Sequence, residues 1–165
     1  MRIGVVSDTH NQLRNVARIV ELLNRAGVDR VVHTGDITQA KTLEVLAHLD
    51  APLHAVFGNN DLERAPLEHT AARLGIALVD PPLRARWCER ELVVVHDPLD
   101  LDVELGGRAG LAIDLALHGH THRTARGWRA GALVFNPGEC AGHMAGHNRI
   151  GIVDLRAMEA EILHF

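Results

Sequence analysis

The first 75 residues alternate short apolar runs with longer segments in which apolar side chains recur at helical spacing. Residues 2–7 form an apolar run typical of a buried strand, and residues 13–26 carry apolar side chains three and four positions apart. The same alternation predicts further strands and helices at 31–32, 40–49, 53–57 and 66–75. A chain with this pattern builds parallel βαβ units, with helices packed on a sheet.

The second half of the chain is rich in short strands, and its one helical segment is predicted around residues 103–111. Strands are predicted at 76–79, 83–87, 92–96, 115–118, 124–128, 133–136, 150–155 and 161–164. Two sheets packed face to face, with helices on the outside, satisfy both halves. No linker, repeat or low-complexity tract interrupts residues 1–165, so we expect a single domain.

Composition narrows the classes of function. The chain has 12 His among 165 residues, a formal net charge of -4 and only 3% aromatic residues. We expect no stable nucleic-acid complex, because phosphate backbones need a basic face and single-stranded bases need aromatic platforms. The excess of His is the feature to explain, since His is the commonest metal ligand in proteins.

The sequence predicts a cytoplasmic protein without a membrane segment. No apolar run reaches the roughly 18 residues of a membrane helix, and the first apolar run stops at Asp8, too soon for a signal peptide. Cys88 and Cys140 are isolated, so we expect free thiols in a reducing compartment. The oligomeric state stays open, and a homo-oligomer is compatible with the sequence.

Polar motifs follow five of the predicted strands. They read Ser7-Asp8-Thr9-His10, Thr34-Gly35-Asp36, Gly58-Asn59-Asn60-Asp61, Val95-His96-Asp97 and His118-Gly119-His120-Thr121-His122. In open α/β sheets, ligand sites form beyond the carboxyl ends of the strands. A protein core gains nothing from gathering unpaired polar groups, so five such strand ends predict a metal site.

The spacing inside these motifs suits metal binding. Asp8 and His10 stand two positions apart, as do His120 and His122, so each pair can point to one side of an extended segment. Gly35, Gly58 and Gly119 each precede a candidate ligand, where a residue without Cβ allows close backbone approach. Carboxylate, imidazole and amide donors together suit Mn²⁺, Fe²⁺, Ni²⁺, Co²⁺ or Zn²⁺ better than Ca²⁺.

The five motifs, in this order, resemble the signature of the calcineurin-like metallophosphoesterases, which is D-x-H, G-D, G-N-[H/C/N]-[D/E], H and G-H-x-H. The chain is most similar to the small cap-less phosphodiesterases of bacteria and archaea, which also carry S-D-T-H and G-H-T-H. The resemblance spans essentially the whole chain. It implies an α/β fold in the form of a four-layer αββα sandwich, with two mixed sheets face to face.

The resemblance also implies a centre with two divalent metal ions, for which Mn²⁺ is favoured and Ni²⁺, Fe²⁺, Co²⁺ or Zn²⁺ remain open. The ligands carried over are Asp8, His10 and His122 for one ion, Asn59, His96 and His120 for the other, and Asp36 as the bridge. A hydroxide between the ions would attack phosphorus in line with the leaving group. The expected catalytic residues are Asn59, Asn60, His96 and Asp61, the last through a hydrogen bond to a ligand or to Asn60.

Three residues depart from the family pattern. Asn60 stands where many members have a His that helps the leaving group depart, and an amide cannot donate a proton as an acid at neutral pH. We therefore expect a preference for leaving groups that need little protonation. Asp97 replaces a usual Gly and is interpreted as a turn acid, or as a group that supports the site. Glu139 replaces Ser in N-P-G-S, which puts a phosphate contact by that segment in doubt.

Other polar residues have more ordinary interpretations. The segment 142–147, with His143 and His147, is interpreted as a surface loop or as a rim that selects substrate. Arg123 could meet a phosphate or form a solvated ion pair. His33 and His118 are interpreted as buried or supporting residues, and Cys140 as a spectator. Surface or strand-end positions are expected for His48, His54, His69 and His164.

The resemblance implies a metal-dependent phosphoesterase, specifically a phosphodiesterase acting on small-molecule diesters. One alternative is a phosphomonoesterase with the same pair of ions. Another, of a different class, is a non-catalytic metal-binding scaffold for protein interactions, like the retromer subunit of this fold with its degraded metal site. That alternative predicts missing ligands, whereas all seven positions are intact in this sequence.

Overall fold

The computed structural model describes residues 1–106, 112–143 and 146–165. The first half alternates strand and helix, as the apolar pattern predicts. Its elements are β1 (Arg2–Val6), α1 (Leu13–Ala26), β2 (Arg30–His33), α2 (Ala40–Leu46), β3 (Leu53–Val56), α3 (Arg64–Leu74) and β4 (Ala77–Val79). Helix α1 forms because its buried side chains recur at helical spacing, and it ends at Gly27 in the left-handed conformation.

The second half holds most of the strands and one further helix. Its elements are β5 (Leu83–Trp87), β6 (Arg90–Val94), α4 (Pro98–Leu105), β7 (Leu115–Leu117), β8 (Ala125–Arg129), β9 (Ala132–Asn136), β10 (Arg149–Asp154) and β11 (Glu159–His164). Strands β5 and β6 form a tight antiparallel pair, and so do β8 with β9 and β10 with β11. Within the described ranges, no helix combines the length and the apolarity needed to cross a bilayer.

Both sheets are mixed. The six-stranded sheet has the order β11-β10-β1-β2-β3-β4, in which β1 to β4 are parallel and β10 runs antiparallel to β1. The five-stranded sheet has the order β5-β6-β7-β9-β8, in which β6, β7 and β9 are parallel and the two edge strands are antiparallel. The carboxyl ends of the parallel strands therefore share an edge within each sheet.

Three apolar clusters separate four layers. Helices α1 to α3 bury side chains such as Leu23 and Leu43 against the outer face of the six-stranded sheet. The two sheets meet through a second cluster that includes Ile3, Leu117 and Phe135. Helix α4 covers the outer face of the five-stranded sheet through Leu101. The predicted αββα sandwich is confirmed.

Helix α4 differs from the prediction. It begins at Pro98 and ends at Leu105, whereas the sequence pattern placed a helix around 103–111. The early start has a local cause, because the Asp97 side chain accepts a hydrogen bond of 2.9 Å from the Leu99 backbone N–H and a proline opens the first turn. Residues 107–111, the rest of the predicted helix, lie outside the described residues.

Candidate metal centre

Backbone hydrogen bonds join the loops that follow the parallel strands. The Asp8 N–H donates to Gly35 O at 3.1 Å, and the His10 N–H donates to Asp36 O at 3.0 Å. In the five-stranded sheet, the Gly119 N–H donates to His96 O at 3.0 Å. These contacts hold neighbouring polar strand ends together within each sheet.

The candidate ligands include an unusual number of left-handed residues. The φ angles are 53° at Asp8, 40° at His10, 61° at Asp36, 66° at His120 and 58° at His122. Positive φ is uncommon for residues with a Cβ and costs of order 1–3 kcal/mol at each position. Such strain persists only where the surroundings enforce it, and it concentrates at functional sites.

Two glycines allow the loops to approach one another. A Cβ at Gly58 would overlap the Asp36 carboxylate, and a Cβ at Gly119 would overlap the Ser7 hydroxyl. Glycine therefore permits contact between neighbouring loops at these positions. The sequence predicts that the backbone at these glycines approaches another group closely, and in the structure that group is a protein side chain.

A first group of ligand atoms comes from Asp8, His10, Asp36 and His122, whose donor atoms all lie within 4.8 Å of one another. His122 Nε2 is 3.4 Å from Asp8 Oδ1 and 3.3 Å from His10 Nε2. His10 Nε2 is 3.5 Å from Asp36 Oδ2. We call this set, without Asp36, the first position.

The Asp8 carboxylate shows that the first position suits a cation. Asp8 is fully buried, and its Oδ2 accepts hydrogen bonds from the Ser7 hydroxyl and, at 3.2 Å, from the His120 N–H. Within the described ranges, its Oδ1 has no hydrogen-bond partner. A buried carboxylate oxygen in that state is costly, so the donor set and this oxygen together fit a divalent metal ion.

A second group of ligand atoms converges on Asn59. Its Oδ1 lies 2.9 Å from His96 Nε2 and 2.9 Å from His120 Nδ1. His96 Nδ1 faces Thr34 O at 2.9 Å, and since a carbonyl only accepts, that nitrogen carries the proton and Nε2 points into the cleft. We call Asn59, His96 and His120 the second position.

Asp36 lies between the two positions. Its Oδ2 is 3.5 Å from His10 Nε2 and also 3.5 Å from His96 Nε2. The Asn60 side-chain amide donates to Oδ2 at 2.8 Å, and the Asn60 N–H donates to Oδ1 at 2.9 Å. The structure thus brings together all seven residues predicted as ligands, with Asp36 facing both groups.

Asp61 acts on the backbone that carries Asp36. It is almost fully buried. Its Oδ2 accepts from the Asp36 N–H at 3.1 Å and the Gly58 N–H at 2.6 Å, and its Oδ1 accepts from the Thr38 N–H at 2.6 Å. Of the two partners that the sequence suggested, a ligand or Asn60, the structure shows the ligand, through its main chain.

Burial and mutual charge shift the pKa values in the cleft. Burial raises the pKa of Asp8 and lowers that of His10. Burial also works to raise the pKa of Asp36, but hydrogen bonds from His96 and Asn60 outweigh it and hold the pKa well below its usual range. At His96 burial is outweighed by Asp36, so the pKa is raised. Asp36 is therefore a carboxylate at neutral pH.

The segment after β9 adds two side chains that the sequence did not place among the metal ligands or catalytic residues. Glu139 is fully buried, and its Oε2 lies 3.2 Å from His122 Nδ1 and 3.4 Å from His143 Nδ1. The ring centroids of His10 and His143 are 5.0 Å apart. His143 thus lies at the first position, while Met144 and Ala145 lie outside the described residues.

The structure also shows the surroundings of the other polar residues that the sequence singled out. Burial lowers the pKa of His33 to about 3, lowers that of His118 and raises that of Cys140 to about 12. Asp97 caps α4, and its Oδ2 also lies 3.9 Å from His120 Nε2. Arg123 is exposed, next to the histidine motif.

A cavity of about 220 Å³ opens beside the second position, and Asn59 and His96 form part of its wall. Its wall also includes Arg64, whose guanidinium lies 3.8 Å from the centre of the Phe57 ring and donates to Asp80 at 2.7 Å. Asp97 lines it as well. This cavity is large enough for a small organic group next to the ligand atoms.

Comparison with known proteins decides the family. The family model of the calcineurin-like phosphoesterase superfamily domain matches residues 1–158. The chain belongs to this superfamily. A phosphodiesterase of Methanocaldococcus jannaschii is 31% identical over 160 residues, which cover 96% of each chain. The family predicted from the five motifs is confirmed, and with it the expectation of a phosphoric ester hydrolase.

Solved structures of similar proteins have the same architecture. The superposition on an archaeal phosphodiesterase covers the whole of both chains, with a TM-score of 0.90 and 30% sequence identity. A phosphoesterase from E. coli covers 99% of this chain and 98% of its own, with a TM-score of 0.70 and 22% identity. The second likeness concerns the fold alone.

Proposed function

We propose that this protein is a divalent-metal-dependent phosphodiesterase that hydrolyses small-molecule phosphodiesters. The position of Asp36 supports this function, because its Oδ2 lies 3.5 Å from a histidine nitrogen of each ligand group. One carboxylate that faces two groups of donors is what a pair of neighbouring metal ions requires. The protein of Methanocaldococcus jannaschii and the archaeal protein of similar structure are both named phosphodiesterases.

The proposed roles follow from the contacts. Asp8, His10 and His122 would hold one ion, Asn59, His96 and His120 would hold the other, and Asp36 would serve both. Two divalent ions supply an acidified water and neutralise charge on the phosphoryl oxygens. Asn60 fixes the Asp36 carboxylate by two hydrogen bonds, and Asp61 fixes the Asp36 backbone. These supports keep the ligand geometry rigid before substrate arrives.

A diester preference is proposed over a monoester preference. The side chain at Asn60 is an amide that donates to Asp36 and cannot release a proton, so it provides no acid for a poor leaving group. The cavity beside Asn59 and His96 offers space for the second organic group that a diester carries. The phosphomonoesterase with the same ligands remains the alternative outcome.

Mn²⁺ is the metal that we propose for activity, because oxygen donors from two carboxylates and one amide accompany the histidines. Ni²⁺, Fe²⁺, Co²⁺ and Zn²⁺ are the alternatives. A cytoplasmic location is supported by Cys88 and Cys140, which are both free. The non-catalytic scaffold is disfavoured, because it predicts missing ligands, whereas all seven ligand positions are intact in this sequence.

The test compares a bis-aryl phosphate with the matching mono-aryl phosphate, after metal removal and after addition of Mn²⁺. We expect metal-dependent turnover, faster on the diester, that Asp36→Ala and His120→Ala both reduce strongly. Faster turnover of the monoester would favour the phosphomonoesterase. Metal binding without turnover, with every divalent metal tried, would favour the scaffold.

A further inference from the structure

The segment from residue 137 to residue 143 is anchored to the six-stranded sheet and its first helix. The Cys140 N–H donates to Ser7 O at 3.0 Å, and Asn15 Nδ2 donates to Cys140 O at 2.9 Å. The Arg149 N–H donates to Glu139 O at 3.1 Å. The backbone on either side of the Glu139 side chain is therefore held, and the carboxylate is directed at the ligand cluster.

One oxygen of Glu139 faces two imidazoles. Oε2 is 3.2 Å from His122 Nδ1 and 3.4 Å from His143 Nδ1, while the carboxylate itself is fully buried. A carboxylate at Nδ1 of a histidine directs the opposite ring nitrogen outward and raises its basicity as a ligand. For His122 the opposite nitrogen, Nε2, already faces Asp8 Oδ1.

The ring of His143 is aligned with that of His122. Their centroids are 5.6 Å apart and their planes differ by only 19°. His10, His122 and His143 each offer a ring nitrogen, and these nitrogens lie within 4.8 Å of one another. Three imidazoles thus converge at the first position, where the family pattern supplies two.

We propose that His143 is an additional ligand at the first position and that Glu139 is the positioning residue that orients both His122 and His143. The inference deepens the proposed function and rests on its metal centre. His143 forms one cluster of ligand atoms with His10 and His122, and the same two histidines form a second cluster with Asp8 and Asp36. At the second position the additional side chain is a carboxylate, because Asp97 Oδ2 lies 3.9 Å from His120 Nε2.

The extra imidazole has a consequence for metal selectivity. Imidazole donors favour Zn²⁺ and similar ions, whereas oxygen donors favour Mn²⁺. His143 therefore strengthens the binding of Zn²⁺ at the first position more than the binding of Mn²⁺. Because its side chain is 49% exposed, removing it leaves the core intact, which makes His143 suitable for substitution.

The experiment titrates the metal-free protein with Zn²⁺ and with Mn²⁺ by competition calorimetry, and records the visible absorption of the Co²⁺-loaded protein. His143→Ala and Glu139→Gln are compared with the wild type. His147→Ala is the matched control, because His147 is four residues after His143 but contacts Arg149 through its Nδ1 at 3.2 Å. Thermal unfolding of the metal-free variants checks their folding.

We expect His143→Ala to weaken Zn²⁺ at one of two sites by roughly tenfold or more and to change the Co²⁺ spectrum. Glu139→Gln weakens the same site by roughly 10–100-fold, the range for loss of a residue that orients a ligand. His147→Ala binds as the wild type does. If His143→Ala bound both Zn²⁺ ions as tightly as the wild type and kept the wild-type Co²⁺ spectrum, the role of His143 would be overturned. The proposed metal centre would still stand. A wild type that binds fewer than two ions would overturn the proposed centre itself.

Discussion

The two halves of the cleft differ in charge, burial and support. The first position contains the fully buried Asp8, and Glu139 stands behind His122. The second position combines two histidines with the neutral amide of Asn59, and its His120 side chain is 41% exposed. Apart from Asp36, which both share, only the first position has a carboxylate among its proposed ligands.

This difference predicts unequal metal affinity. The affinity of a metal site rises with the charge of its ligands and with the rigidity of the site. The first position has the greater ligand charge and the deeper burial, so we expect it to bind first and to release its ion last. The second position, next to the 220 Å³ cavity, is the one whose ion exchanges more readily.

The largest expected effect is that of Asp36→Ala, which removes the group that both positions share. We expect kcat/KM on a bis-aryl phosphate to fall by at least about 10³-fold, as for residues that act as part of a catalytic unit. Asp50→Ala, at an exposed carboxylate away from the cleft, is the control. A variant that keeps wild-type activity and binds two ions would contradict the shared role.

Asp8→Ala and His120→Ala compare the two positions directly. Each removes one proposed ligand, and we expect each to lose roughly 10²-fold or more in kcat/KM. Metal analysis after dialysis should distinguish them, because His120→Ala retains the tightly held ion whereas Asp8→Ala loses it. Equal retention in both variants would show that the two positions do not differ in affinity.

Asp61→Asn tests the support that Asp36 receives. Both carboxylate oxygens accept backbone N–H groups, so an amide nitrogen would face an N–H donor at Thr38 or at Gly58. We expect a loss of about 1–3 kcal/mol in the free energy of unfolding and roughly 10–100-fold weaker metal binding. A urea titration and a metal titration measure the two effects. An unchanged metal affinity would leave Asp61 with a purely structural role.

His33 lies beneath the loops of Asp8 and Asp36, where it faces Thr9 Oγ1 and accepts from the Gly35 N–H. Burial lowers its pKa to about 3 from 6.5. Above pH 6.5 the imidazole of His33 is neutral in both the folded and the unfolded chain, and its contribution to the free energy of unfolding is complete. As the pH falls from 6.5 towards 3, the unfolded chain takes up the proton first, so the free energy of unfolding decreases. The slope reaches up to about 1.4 kcal/mol per pH unit. His33→Asn should unfold in urea with a shallower pH dependence between pH 7 and 4, and an equal slope would refute this.

Asn60→His gives the smallest expected change in rate, because it alters the ranking of substrates more than the turnover of the best one. We expect the variant to gain on diesters with poor leaving groups relative to good ones, since imidazole can supply a proton near neutral pH. Rates on a series of aryl diesters of increasing leaving-group pKa measure this. The same ranking in both proteins would remove Asn60 from any role in leaving-group preference.

Much of the fold could be predicted because burial dictates periodicity. Val16, Ile19, Val20 and Leu23 are all buried on α1, at the helical spacing that the sequence displays. The start of α4 was predicted wrongly, although a capping Asp97 before Pro98 is a recognisable start signal. Apolar spacing locates a helix poorly here, because the short α4 has few buried side chains.

The candidate site could be predicted as far as local motifs reach. Residues at the ends of parallel strands must share an edge, so Asp8, Asp36 and Asn59 were brought together by topology alone. The approach of His143 and Glu139 to His122 depends on how an irregular segment folds back, and no periodic pattern encodes it. The sequence singled out Glu139 as a departure from the family pattern and His143 as part of a possible rim, but it placed neither in the metal centre.

The central claim is that two ions lie on either side of Asp36. Crystals soaked in Mn²⁺ and measured for anomalous scattering test it most directly. We expect two peaks about 3.5–4 Å apart, one among Asp8, His10 and His122, the other among Asn59, His96 and His120, and both next to Asp36. A single peak, or a second peak away from Asn59, His96 and His120, would contradict it.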